Sequence, residues 1–165
     1  MADTARGKVS MVPVVTIAAD SDTDTVDAIH HDIKQRLGGN LEYEKADACD
    51  RWFYDSAKTL SGGMADLISG NFTDSGTVDA SADKVHFLYV RHTGVDSSGD
   101  ASTADMYINF DAGAAAFTDS VVIGANESFI VKLKATPVGH INAKPASGEI
   151  VAEVVAIIDD DSCSL

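Results

Sequence analysis

The chain has 165 residues, enough for one domain with a sizeable core, and its 45% apolar and 23% charged residues are those of an ordinary globular protein. Lys and Arg total 12 against 26 Asp and Glu, a formal net charge of -14. That balance argues against a nucleic-acid binder and against a peripheral binder of anionic membrane, both of which need a basic face. The longest clean apolar run, Val154 to Ile158, is far too short for a membrane span.

The N-terminus shows no apolar stretch followed by a small-residue cleavage site, so no secretory signal is expected. Residues 1–19 read as an N-terminal arm or first strand, with Val9 to Ala18 as its extended part. Asp20-Ser21-Asp22-Thr23-Asp24 resembles the opening of a calcium loop. The pattern then fails, with Thr25 where a sharp turn wants Gly and His31 where a bidentate Glu is needed. Val26, Ile29, Ile33 and Leu37 recur at helical spacing. Asp24 suits the cap, Lys34 and Arg36 suit the last turn, and Gly38 can close it, so one short helix is expected.

Strand signals fill the rest. Leu41 to Ala48, Arg51 to Leu60, Met64 to Ser69 and Ile141 to Ala143 are candidates. Lys84 to His92 alternates with Val85, Phe87 and Tyr89 on one face and His86, Leu88 and Val90 on the other. Both faces are apolar, as in a central strand. Asp105 to Asp111 alternates more cleanly. Ser128 to Lys134 places Phe129, Val131 and Leu133 inward and Lys132 and Lys134 outward, and Glu149 to Ile158 is a long β-branched run. Between them lie turn residues such as Ser61-Gly62-Gly63 and Asp96-Ser97-Ser98-Gly99-Asp100, with Pro137 and Pro145 expected between strands. Acidic residues are skewed to 21 Asp against 5 Glu, a turn-rich choice. The expectation is a mostly β protein of about eight strands. It is an antiparallel β-sandwich with a jelly roll as one arrangement, and carries one short helix in the N-terminal half. Residues 20–160 form a single domain and 161–165 a flexible acidic tail.

Chemistry-bearing residues offer no diagnostic set. Cys49 and Cys163 are too few for a disulfide framework and are read as reduced thiols. Of five histidines, adjacent His30 and His31 diverge on a helix. His86 and His92 are six strand residues and about 20 Å apart, His92 at an exposed strand end, and His140 stands alone. Asp96, Asp100 and Asp105 raise the calcium question again and are read as turn residues. Trp52, Phe53 and Tyr54 lie beside Asp50, Arg51 and Asp55. An aromatic platform with carboxylates can hold a sugar ring, although three aromatics on a strand more often split between a core face and an outer contact. There is no nucleophile elbow, phosphate loop or zinc-protease motif. No catalytic, cofactor or metal residue is assigned, and an enzyme is not expected.

The rhythm of the C-terminal two-thirds carries a resemblance. Val85-His86-Phe87-Leu88-Tyr89-Val90-Arg91-His92-Thr93-Gly94 is followed by a polar loop and by Asp105-Met106-Tyr107-Ile108-Asn109-Phe110-Asp111. Then come Gly124-Ala125-Asn126-Glu127-Ser128, read as a hairpin, and the closing run Gly148 to Ile158. From about Trp52 to Asp160 this resembles small β-sandwich virion proteins of tailed bacteriophages, including ones found on capsids. The resemblance implies a non-enzymatic structural protein, made in the host cytoplasm and carried in the virion, that binds the major capsid protein or other virion proteins. Capsid decoration or cement comes first, and a tail or head-tail component next. It implies a homo-oligomer, with a trimer suiting three-fold lattice sites, and neither nucleic-acid nor membrane partners. The N-terminal stretch Gly7 to Ala19 could lie on a neighbour as an added strand. A carbohydrate-binding sandwich using Trp52, Tyr54, Asp50 and Asp55 is the alternative.

Overall fold

A computed structural model describes residues 6–11, 39–44, 49–73, 76–111 and 120–163. The described part is mostly β and antiparallel. β1 (Arg6–Met11) pairs with β2 (Gly39–Glu44), from Arg6 opposite Glu44 to Met11 opposite Gly39. The first strand therefore begins earlier than the apolar pattern suggested. The expected helix over Val26 to Leu37 and the Asp20 to Asp24 loop lie outside the described residues, among which there is no α-helix.

Eight further strands follow. They are β3 (Asp50–Ser61), β4 (Ala65–Asp66), β5 (Lys84–His92), β6 (Met106–Asn109), β7 (Val121–Ile123), β8 (Ser128–Pro137), β9 (Asn142–Pro145) and β10 (Glu149–Asp159), with a 3-10 turn at Val138–His140. They make two four-stranded sheets, in the orders β3-β10-β5-β8 and β4-β9-β6-β7. The pairings nest, with β3 on β10, β4 on β9, β5 on β8 and β6 on β7, all antiparallel. β10 also pairs with β5, and β9 with β6.

One apolar cluster joins the sheets. Alternation along β10 sends Ile150, Ala152, Val154, Ala156 and Ile158 inward. They meet Phe53 and Leu60 of β3 and Leu88 and Val90 of β5, and Met106, Ile108, Ile123 and Ala143 reach them from the second sheet. Burying each large aliphatic side chain contributes about 1.5–3 kcal/mol, which makes this cluster the main source of stability. Phe129, Val131 and Leu133 pack against it while Lys132 and Lys134 are exposed, as the β8 pattern predicts. Phe110 and Phe129 meet at 6.2 Å between ring centroids, tilted by 51°.

Several expectations change. A β-bulge between Val85 and Phe87 breaks the simple alternation of β5. Val85 consequently joins Leu88 and Val90 in the core, and Phe87 and Tyr89 turn to the outer face. Three residues of β8, Leu133 to Ala135, oppose the single His86, and Ala135 adopts φ 55° to make the bend. Gly124 to Glu127 is not a hairpin, because β7 and β8 belong to different sheets and the segment carries the chain across. Pro137 and Pro145 are the last residues of β8 and β9 rather than spacers. Pro137 is tolerated because β8 is an edge strand.

The two cysteines are not reduced thiols. Cys49 and Cys163 form a disulfide, with Cα atoms 5.4 Å apart. The sequence could not suggest this, because 114 positions separate them and only the β3–β10 pairing makes them neighbours. Of the expected flexible tail over 161–165, Asp161 to Cys163 are held. The Asp161 N–H donates to the Asp83 carboxylate at 3.0 Å, and the Ser162 N–H and hydroxyl donate to Asp160 at 3.0 and 2.6 Å. Residues 164 and 165 lie outside the described residues.

Candidate interaction surface

The outer face of the β3-β10-β5-β8 sheet carries an aromatic and aliphatic stripe, and the register builds it row by row. Trp52 stands opposite Ile157, Ile157 opposite Phe87, and Phe87 opposite Lys132. The next row runs Tyr54, Val155, Tyr89 and Ile130. Beyond it come Glu153, Arg91 and Ser128, where the Arg91 guanidinium meets the Glu153 carboxylate at 3.2 Å. An antiparallel sheet commonly leaves one face polar. Here the outer face has large apolar groups in two consecutive rows, closed by an ion-paired row.

The middle of the stripe is already packed. Phe87 and Ile157 are 3% and 0% exposed and rest against Trp52, Tyr89 and Ile130. The rim is open at β3, where Tyr54 is 56% exposed. Trp, Tyr and Arg are the residues that most often anchor protein interfaces, because they combine large apolar area with a polar tip. Lys132 and Lys134, both exposed, place positive charge along the β8 edge of a strongly acidic chain. Edge lysines also discourage indiscriminate strand addition.

The proposed sugar-binding set comes apart in this geometry. Trp52, Tyr54 and Asp50 alternate onto one face of β3, but Asp50 is buried. Asp55 is on the opposite parity, paired with core-facing Val154, and its carboxylate accepts the Ala57 N–H at 3.0 Å. Phe53 fills the core, as the split of three aromatics required.

The histidines are not brought together. His30 and His31 lie outside the described residues, His86 sits in the β5 bulge, and His140 ends the 3-10 turn. His92, expected to be exposed, is fully buried. Its Nδ1 accepts the Gly94 N–H at 2.9 Å, which puts the proton on Nε2, and Nε2 donates to the Ala104 carbonyl at 2.8 Å. A neutral imidazole thus ties the end of β5 to the segment leading into β6. Beside it the Asn126 side chain closes on Gly94, whose φ is +79°. Asp96 shapes a turn by accepting the Ser98 and Asp100 N–H groups at 2.9 and 3.0 Å, and Glu149 accepts the Ser97 N–H at 3.0 Å. Asp105 is exposed just before β6. Among the described residues no group of three or more His, Cys, Asp and Glu is placed to hold a metal ion.

A second polar corner closes the opposite end of β5. Asp83 accepts the Asp79 N–H at 2.8 Å and the Asp161 N–H at 3.0 Å. Burial pushes the Asp83 carboxyl above its ordinary value, helped by the nearby charges of Asp160 and Asp79. Asp160 is also pushed up by burial, but the hydrogen bonds from Ser162 and Arg51 outweigh this and hold it below the ordinary value. The Arg51 Nε lies 3.3 Å from the Asp160 carboxylate.

The sequence reading missed Tyr89, Ile130 and Val155 as partners of Trp52 and Tyr54. The available signal was the apolar character of both faces of Lys84 to His92, which asks what the outer face is for. Compared with protein-family models, curated proteins and solved structures, the chain gives no match. Among the described residues no helix is long and apolar enough to cross a membrane.

Proposed function

We propose that the chain is a non-enzymatic structural protein of a tailed-phage virion, a capsid decoration protein that docks through the outer face of its larger sheet. The observation that carries this reading is the nested pairing of β3 with β10, β4 with β9, β5 with β8 and β6 with β7. A long antiparallel ribbon paired in this way, with β10 also meeting β5 and β9 meeting β6, supports a jelly-roll arrangement of the sandwich. That architecture recurs in viral capsid proteins and in lectins. Architecture alone does not give a function, so the filling of the roll matters. Its interior is apolar, and the buried side chains of His92, Asp83, Asp160 and Asn142 make hydrogen bonds within the fold, while among the described residues the buried Ser120 hydroxyl alone has no partner. This supports a scaffold whose work is done on its outside.

The docking face is the stripe of Trp52, Tyr54, Val155, Tyr89 and Ile130, bordered by Arg91 and Glu153. The acidic remainder suits a particle surface, where net negative charge keeps neighbouring particles and nucleic acid apart. The test is cosedimentation of the purified chain with capsid particles, comparing wild type with Trp52→Ala and Tyr89→Ala. Saturable binding that both substitutions weaken supports the reading. Binding of a glycan array in place of particles would favour the lectin branch of the same architecture.

A further inference from the structure

We propose that the Cys49–Cys163 pair is a redox-operated latch on the C-terminal segment. It closes on an already folded domain and opens on reduction without disturbing the sheets. This does not depend on the virion reading.

The placement of the two cysteines is set by backbone pairing. The β3–β10 ladder ends at Asp50 opposite Asp159, and the Asp160 N–H then donates to the Cys49 carbonyl at 3.1 Å, one step beyond it. Asp160 turns the chain back. Its carboxylate takes both Ser162 donors and the Arg51 Nε, and its carbonyl accepts the Cys163 N–H at 3.1 Å. These contacts set the two cysteines side by side. Neither cysteine belongs to the apolar cluster between the sheets, so reduction removes no contact from that cluster. Cys163 is the more accessible partner, half-buried where Cys49 is buried, and exchange begins there.

The chemistry balances with a low-molecular-weight disulfide as oxidant. The Cys163 thiolate attacks one sulfur of the oxidant, forming a mixed disulfide and expelling one thiolate. The Cys49 thiolate then attacks the Cys163 sulfur, forming the S–S bond and expelling the second thiolate. Two electrons pass from the protein to the oxidant, and the two thiol protons go to solvent or to the released thiolates. A reducing cytosol keeps such pairs open and an oxidising exterior closes them.

What the latch restrains is a chain end tied to the Asp83 corner. Closed, it keeps the Asp161 N–H on Asp83 within a corner that also holds the Asp79 and Asp160 carboxylates. Open, Asp161 to Cys163 keep only the hydrogen bonds to Asp83 and Asp160, and a chain end without its covalent tie frays more readily.

The experiment equilibrates the full-length chain in reduced or oxidised glutathione, traps free thiols by alkylation for mass spectrometry, and follows amide hydrogen exchange in both states. The expected result is no free thiol in the oxidised buffer and two in the reduced one. Exchange at Asp161 to Cys163 then rises at least tenfold on reduction while Val85 to Val90 and Val154 to Ile158 stay protected. Cys163→Ser in the oxidised buffer should match the reduced wild type. Cysteines that remain alkylatable under oxidised glutathione would overturn the proposal. So would a terminus equally protected in both states, or sheet protection lost together with the bond.

Discussion

Replacing His92 tests how the two sheets are tied at the upper end of β5. The imidazole is fully buried and makes two hydrogen bonds, at 2.9 Å from the Gly94 N–H to Nδ1 and at 2.8 Å from Nε2 to the Ala104 carbonyl. His92→Leu removes both and leaves a donor and an acceptor without their partner. Each such group costs about 1–3 kcal/mol, and the added apolar burial returns about 1–2 kcal/mol. The net expectation is a loss of about 2–4 kcal/mol, or about 5–15 °C in Tm for a chain of this size. His92→Asn can place its oxygen near Nδ1 and keep the Gly94 bond, whereas His92→Gln can place its amide near Nε2 and keep the Ala104 bond. Each should therefore lose about half as much as Leu. Urea denaturation with the m-value held constant reads the series. A leucine variant as stable as wild type, or Asn and Gln variants that both fall as far as Leu, would refute the two-bond account.

Other expectations follow from the same contacts. Gly94→Ala forces a side chain onto a φ of +79° with its Cβ 2.7 Å from the Asn126 side chain, and should cost about 2 kcal/mol or more. Adding Asn126→Gly should recover part of that loss in thermal denaturation, and full additivity would exclude the proposed clash. The acid corner gives two pH dependences of opposite sign. Asp160 is held below the ordinary value of 3.8, so its contribution is present above about pH 3.8 and disappears as pH falls through its lower folded value. The stability gap between wild type and Asp160→Asn should therefore narrow on acidification. Asp83 is raised above 3.8, so its contribution is full below about pH 3.8 and lost as pH rises through its higher folded value. Asp83→Asn should gain on wild type as pH rises through that window, and parallel denaturation curves for the two proteins from pH 3 to 7 would contradict this.

Local patterning carried the long strands. Lys84 to His92 has the same bounds in sequence and structure, Glu149 to Ile158 falls one residue short at its end, and Arg51 to Leu60 falls one residue short at each end. Their alternation and β-branched content suffice to define them. β7, with only Val121 to Ile123, is too short to show a period and takes its extended form from pairing with β6. The bulge at His86 is set by the two-residue excess in β8, which no reading of β5 alone can reveal, and it moved Val85 to the other face. The disulfide and the nested strand order depend on pairings across much of the chain, such as Asp50 with Asp159. The outer stripe was half legible. Trp52 and Tyr54 stood out as an aromatic run, but their partners Tyr89, Val155 and Ile130 come from three other strands and meet them only through the register.

The most direct measurement of the central claim is cosedimentation of the purified chain with tailed-phage capsid particles assembled from purified major capsid protein. The account predicts saturable binding with a fixed ratio of chain to capsid subunit. It predicts about tenfold weaker binding for Trp52→Ala, equivalent to about 1.4 kcal/mol, with the fold intact. A chain that stays in the supernatant at every concentration, or that binds equally well after Trp52→Ala and Tyr89→Ala, would contradict it.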